Sequence, residues 1–182
     1  MNDYYQQTES QELLSQWLCD HGSAVRGYLL AMVRRPDVAD DLLQEVFRRA
    51  WQARGRYEET GAARAYLLKI ADRLVCDMGR RNKPVVNLDS SGWEHASPEA
   101  RQSTPDARIQ REESKHQLEE ALEELSPAQR RVLLLRYYSD MSFAEIADAL
   151  DCPLNTALSH CRRGLQAVRK VLERKHDESA AK

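Results

Sequence analysis

Residues 142–165 are SFAEIADALDCPLNTALSHCRRGL, two helix starts separated by a short turn. Ser142 stands three residues before Glu145, the spacing of a capping box, in which hydroxyl and carboxylate each satisfy an orphan N–H at a helix start. Phe143, Ile146, Ala147 and Leu150 then recur at helical spacing and give a short helix one apolar face. Asp151-Cys152 forms a turn, and Pro153 opens a second helix, where a missing N–H is tolerated. Along it Leu158, Leu165, Val168 and Leu172 are expected inward and Arg162, Arg163, Arg169 and Lys170 outward. Ala147 is small where the two helices approach. A capped helix, a tight turn and a basic second helix make a helix-turn-helix, a unit that fits a major groove ~12 Å wide. Asn155, Thr156, Ser159, His160, Arg162 and Arg163 lie near the start of the second helix and offer groups that can pair with bases or phosphates. An ordinary helical hairpin with a solvated basic face is the competing reading of this stretch alone.

Upstream, Leu118, Leu122 and Leu125 follow helical spacing, and Ser126-Pro127 begins another helix that carries Val132, Leu133, Leu135 and Tyr138. The period fails earlier, from Asn82 to about Ala107, in a run rich in Ser, Pro, Asn and Asp. A run of that length without periodicity is expected as a linker, so the chain divides into two units. The first unit holds three helices. Residues 11–33 place Leu13, Leu14, Trp17, Leu18, Val25, Tyr28, Leu29 and Met32 on one broad stripe. After Pro36 a second helix starts near Asp37, with Val38, Leu42, Leu43, Val46, Phe47, Ala50 and Trp51 on one face. A third, from about Ala62 to Arg81, turns Tyr66, Leu67, Ile70, Leu74, Val75 and Met78 inward and its cations outward. The expected architecture is all-α: two small helical domains, residues 8–82 and 108–176, joined by a flexible linker over 83–107, the C-terminal domain being the helix-turn-helix.

The formal charge of −2 on 182 residues hides a split. Asp37, Asp40, Asp41 and Glu45 cluster with no base between them, whereas Arg64 to Lys83 carries six cations against Asp72 and Asp77. Local patches set the field that phosphates feel, so near-neutrality does not exclude nucleic acid. The five histidines are scattered, with no glycine-rich phosphate loop and no nucleophile–base spacing, which argues against an enzyme. Cys19, Cys76, Cys152 and Cys161 form no C-x-x-C pair. Cys152, His160 and Cys161 lack a recognised ligand spacing, so reduced thiols are expected and no metal or other cofactor. The N-terminus MNDYYQQTES has neither the basic nor the apolar region of a signal peptide, and no apolar run reaches the ~20 residues that span a bilayer. A cytoplasmic protein without membrane insertion is expected.

The order of features resembles the sigma-70 family of bacterial RNA polymerase sigma factors, in its short extracytoplasmic function (ECF) form, over about residues 11–175. DVADDLLQEVFRRAW resembles the family's region 2 signature, AYLLKIADRLVCDMGRR the helix that follows it, and LEELSPAQRRVLLLRYYSDMSFAEIADALDCPLNTALSHCRRGLQAV resembles region 4. The resemblance implies that the chain directs core polymerase to promoters and opens the strands there, with core polymerase (clamp and flap), promoter DNA and an anti-sigma protein as partners. Carried over, Asp37, Asp40, Asp41, Leu42, Gln44, Glu45 and Phe47 would dock on the clamp, although Phe47 and, preferentially, Trp51 also read as core. Tyr57, Arg64, Lys69, Arg73, Arg80 and Arg81 would meet the −10 element, with the loop from Tyr57 to Arg64 taking an unstacked base. Asn155, Thr156, Leu158, Ser159, His160, Arg162 and Arg163 would meet the −35 element.

The chain departs from the family at Ala63, Tyr66 and Arg73, where an aromatic, a Trp and often an Asn are usual. It departs again at Leu158, which replaces a frequent cation and could touch a thymine methyl. His160 is mostly neutral at pH 7. A stand-alone helix-turn-helix regulator would explain the second half equally well, but not the acidic-then-basic helix pair of the first.

Overall fold

A computed structural model describes residues 2–56, 62–81 and 105–180, which form helices and short turns with no strand among them. The first half is three helices, α1 (Asn2–Val33), α2 (Pro36–Ala53) and α3 (Ala63–Arg81), with a single 3-10 turn at Arg54–Arg56. The break between α1 and α2 follows from Pro36, which pushes the residue before it out of the helical region. Arg35 is extended at φ −130°, and Arg34 turns the chain with φ 57°. Asp37 sits in the first turn of α2, where an acid suits the helix dipole. Trp17, Val25, Tyr28 and Leu29 pack with Val46, Phe47 and Ala50 and with Leu67, Leu74 and Val75 in one core.

Three inward assignments differ from the apolar stripes. Leu18 is 51% exposed and lies over Gly22 on its own helix, where a Cβ would come within 3.1 Å of its Cδ1. Trp51 is half-exposed rather than core, and the Arg54 guanidinium lies over its ring at 4.1 Å. On α3 the buried arc is wider than expected and takes in Leu68, Ala71 and Asp72, because this helix is covered on a second side.

The second half is α4 (Pro105–Glu123), α5 (Pro127–Leu133), α6 (Phe143–Ala149) and α7 (Leu154–Ala180). Residues 82–104, most of the expected linker, lie outside the described residues, and α4 begins three residues before Arg108. Both short helices start with a complete capping box, Ser126 with Gln129 and Ser142 with Glu145. The helix after Pro127 does not run on as α-helix to Tyr138. Leu134–Tyr138 widen into a π turn, closed by Ser139 N–H donating to the Leu134 carbonyl at 3.0 Å.

In the turn between α6 and α7, Asp151 adopts φ 50° and Cys152 N–H donates to the Ala147 carbonyl at 3.0 Å. The side of α7 that meets the core carries Ala157, Cys161, Gly164 and Val171. Small residues there let helices approach: a Cβ on Gly164 would stand 3.0 Å from Leu133 Cδ1. Leu158 and Leu165, expected inward, are therefore displaced to the flank and are 40% and 43% exposed.

The halves touch. Their buried residues form one continuous cluster, α6 packs on α3, and the π turn packs on α1. Gly27 is where α1 admits it, since a Cβ there would lie 1.8 Å from the Tyr138 hydroxyl.

Candidate nucleic-acid interface

The start of α7 presents Asn155, Arg162 and Arg163 exposed, with Thr156 and Ser159 half-buried beside them. At ~100° per residue, Asn155, Ser159 and Arg162 fall on one face. His160 lies ~140–160° round from Asn155 and Arg162, and its Nδ1 is buried with no hydrogen-bond partner. The structure thus turns His160 away from Asn155 and Arg162 and towards the side of Thr156, ~40° from it. Arg163 folds back along the helix, donating from Nη2 to Ser159 Oγ at 2.9 Å and from Nε to the Ser159 carbonyl at 3.3 Å. Leu154, which sequence reasoning missed, is 47% exposed one turn before Leu158, so the polar face has an apolar flank. Its position just after Pro153 and four residues before Leu158 was the available signal.

The cations of α3 divide into two groups. Arg73 and Arg80 are exposed, and Arg80 lies 3.7 Å from Asp77. Lys69 is engaged with Asp148 of α6 at 2.7 Å, and Arg64 Nη2 donates to the Tyr138 carbonyl at 3.4 Å. Arg64 Nε is buried without a partner. Tyr57 falls outside the described residues, and so does the side chain of Arg81, the last residue of α3. Of the positions that depart from family custom, Ala63 is buried, Tyr66 meets Trp17 edge-on at 6.1 Å, and Arg73 is open.

The acidic set on α2 is more neutralised than its sequence suggests. Asp40 accepts from Arg26 Nε at 2.6 Å and from Arg26 Nη2 at 3.2 Å, which ties α1 to α2. Asp37 pairs with Arg35 at 2.5 Å. Glu45 takes Arg48 at 2.6 Å and Arg49 at 2.8 Å. Hydrogen bonds from Arg48 and then Arg49 hold its carboxyl down at about 2. Asp41 and Gln44 are exposed, Leu42 packs half-buried against the core, and Phe47 is buried.

Asp72 is the feature that sequence reasoning did not use. It is 1% exposed, accepts from the Tyr28 hydroxyl at 2.7 Å and from Arg131 Nε at 2.5 Å, and its second oxygen meets Arg131 Nη2. Burial, and then the carboxylate, push the Tyr28 hydroxyl well above its ordinary value. Burial opposes the charge on Arg131 more than any one contact favours it, but the hydrogen bond and the charge of Asp72, with smaller contributions from Cys76 and Tyr28, together outweigh it and raise that guanidinium. The signal in the sequence was an acid set between the cations Lys69 and Arg73 of one helix.

Among the described residues no three His, Cys, Asp or Glu side chains come together to hold a metal, and no helix is long and apolar enough to cross a membrane. Cys19, Cys76, Cys152 and Cys161 are free thiols.

The family models for sigma-70 region 2 and sigma-70 region 4 match residues 19–85 and 115–168, together about two thirds of the chain. The chain is 27% identical over 149 residues to the ECF RNA polymerase sigma factor SigK of Mycolicibacterium vanbaalenii, covering 81% of this chain and 76% of that protein. It is 28% identical to the ECF sigma factor SigX of Bacillus subtilis, covering 83% and 79% of the two chains. It is 29% identical to the sigma factor CarQ of Myxococcus xanthus, covering 90% and 91%. Its fold matches that of the sigma factor RpoE in complex with the anti-sigma factor NepR from Bartonella quintana, with a TM-score of 0.67 at 22% identity, covering 87% and 96% of the two chains. The fold of CnrH, solved in complex with the cytosolic domain of CnrY, matches with a TM-score of 0.65 at 20% identity over 90% and 89%. With region 2 on the three-helix half, region 4 on the helix-turn-helix half and ECF relatives along most of its length, the chain belongs to the sigma-70 family as an ECF RNA polymerase sigma factor, a transcription-initiation protein and not an enzyme.

Proposed function

We propose that the chain docks on the clamp of core polymerase through α2 and grips a promoter at two points. The first half (residues 8–82) takes the −10 element and the second (108–176) takes the −35 element and the flap, with 83–107 as the connection. The observation that carries this reading is the exposed polar face of Asn155, Arg162 and Arg163 at the start of a capped helix-turn-helix, in the same chain as the open cations Arg73 and Arg80 on the region 2 helix. Phosphate contacts position such a protein and base contacts specify its sequence. Asp41 and Gln44 are the open α2 groups for the clamp, and Asp37, Asp40 and Glu45 enter that interface only by exchanging arginine partners. Phe47 acts there by shaping the helix from within the core. The chain works in the cytoplasm, beside core polymerase, and an anti-sigma protein is a partner of the kind seen bound to RpoE.

The test is reconstitution. The purified chain is expected to co-elute with core polymerase and to direct run-off transcription from its own promoter. Tight sequence-specific duplex binding by the chain alone, with no association with core polymerase, would instead make it a free-standing regulator.

A further inference from the structure

Leu154, Leu158 and Arg162 stand one turn apart along one side of α7, each ~40° round from the last, and Asn155 lies ~60° from Leu158. Leu158 is therefore set among the polar groups of the helix start, and both leucines are exposed. Neither belongs to the buried core. A single exposed leucine is ordinary. Two in succession, beside Asn155 and Arg162 at the end of the helix that a helix-turn-helix turns towards base edges, are not. Leu165 is exposed on the same side but lies ~16 Å along the axis from Leu154, well past that end.

Charge says what covers them. No Asp or Glu occurs between Asp151 and Glu173, whereas Arg162, Arg163, Arg169 and Lys170 all do. A cationic helix free of acids, with leucines set beside its cations, fits a polyanion that carries apolar groups of its own. The DNA major groove has one such group, the C5 methyl of thymine, among base edges that otherwise present donors and acceptors. A leucine set against a donor or acceptor strips its water and returns no hydrogen bond. Set against the methyl, it buries apolar surface on both partners. An adenine takes an amide side chain bidentately while its paired thymine presents the methyl. Asn155 and Leu158, adjacent across one turn, thus match the two bases of an A·T step.

We propose that Leu158, flanked by Leu154, reads a thymine methyl in the −35 element, which commits that element to an A·T pair facing the first two turns of α7. This rests on the −35 reading of the second half given above.

The experiment uses holoenzyme reconstituted from the full chain and core polymerase, at limiting polymerase. The templates carry either thymine or deoxyuridine throughout the −35 element, a difference of the C5 methyl alone. Run-off initiation by the wild-type chain is expected to fall about four-fold on the deoxyuridine template, the factor that corresponds to burying one methyl group. Leu158→Ala is expected to initiate at the lower level on both templates, and Leu154→Ala to show a reduced ratio. Leu165→Ala is expected to keep the full ratio. The wild-type comparison involves no substitution in the chain, so it stands whether or not a variant folds.

Wild-type initiation that depends on the −35 sequence but is equal on the two templates would overturn the methyl contact alone, as would a preferred −35 element without an A·T pair. A four-fold ratio that persists in Leu158→Ala and Leu154→Ala would place the effect in the shape of the DNA and overturn the role of the leucines. A Leu158→Ala chain that loses activity by the same factor on both templates would turn Leu158 towards a protein surface, again overturning the contact. Initiation indifferent to every −35 base pair would overturn the −35 reading itself.

Discussion

Glu45 shows how a residue's neighbours decide what its charge can do. Arg48 and Arg49, one turn on, keep its carboxyl ionised down to about 2. A depressed carboxyl contributes stability above its ordinary value near ~4.3, and that contribution is lost as pH falls towards the folded value. An NMR titration of the Glu45 side chain is expected to show a midpoint near 2, moving up in Arg48→Ala; a wild-type midpoint above 4 would mean that the pairs do not persist in solution. Arg163, held on Ser159, is presented rather than free. Arg163→Ala is expected to cost ~1–3 kcal/mol of discrimination at one −35 position if it pairs with a base. Run-off transcription from a promoter set with each −35 position varied reads this, and an unchanged preference throughout would show that Arg163 is no reader. The sequence made these residues visible as donors and acids but not their pairings. His160 and Arg162 look equivalent two positions apart in the chain, and only their positions around the helix separate them.

At the scale of elements, local chemistry was the most legible. Ser142 with Glu145, Ser126 before Pro127 and the break at Pro36 all mark helix starts in the structure, because a cap depends on residues within one turn of each other. Ser142→Ala is expected to destabilise the second half by ~1 kcal/mol, seen as a lowered thermal midpoint. An unchanged midpoint would mean that α6 is held by packing alone. The inward face of α7 was read less well. Large apolar residues attract assignment to a core, whereas the closest helix approach selects small ones, Ala157 and Gly164, and leaves Leu158 and Leu165 on the flank. The π turn was not legible at all. Leu134–Tyr138 satisfy the same apolar spacing as an ordinary helix, and nothing local favours the wider ring.

For the whole molecule, the division into two halves could be read from the loss of periodicity after Asn82, while their meeting could not. The pairs that join them, Arg131 with Asp72 and Lys69 with Asp148, are separated by 59 and 79 residues in the chain. Such contacts leave no local pattern. The buried Asp72 pair and the more open Asp148 pair predict a specific response to salt. At ~1 M, where the Debye length is ~3 Å, the rim pairs are screened but the centre is not, so the free chain is expected to keep its low-salt radius of gyration. A radius that rises steadily with salt would place the closing force in the rim. The π turn bears on this in another way. An insertion of one residue into a regular helix is what such a turn amounts to, and Tyr138, at its end, is the side chain that fills the notch at Gly27. Deleting one residue from 134–137 would let the turn relax to ordinary pitch with the flanking chain near its present phase, and the wider ring that now ends at Tyr138 would be lost. The fit at Gly27 is thereby indexed to chain length at one place, and a one-codon deletion among 134–137 is expected to loosen it while leaving Tyr138 in the sequence.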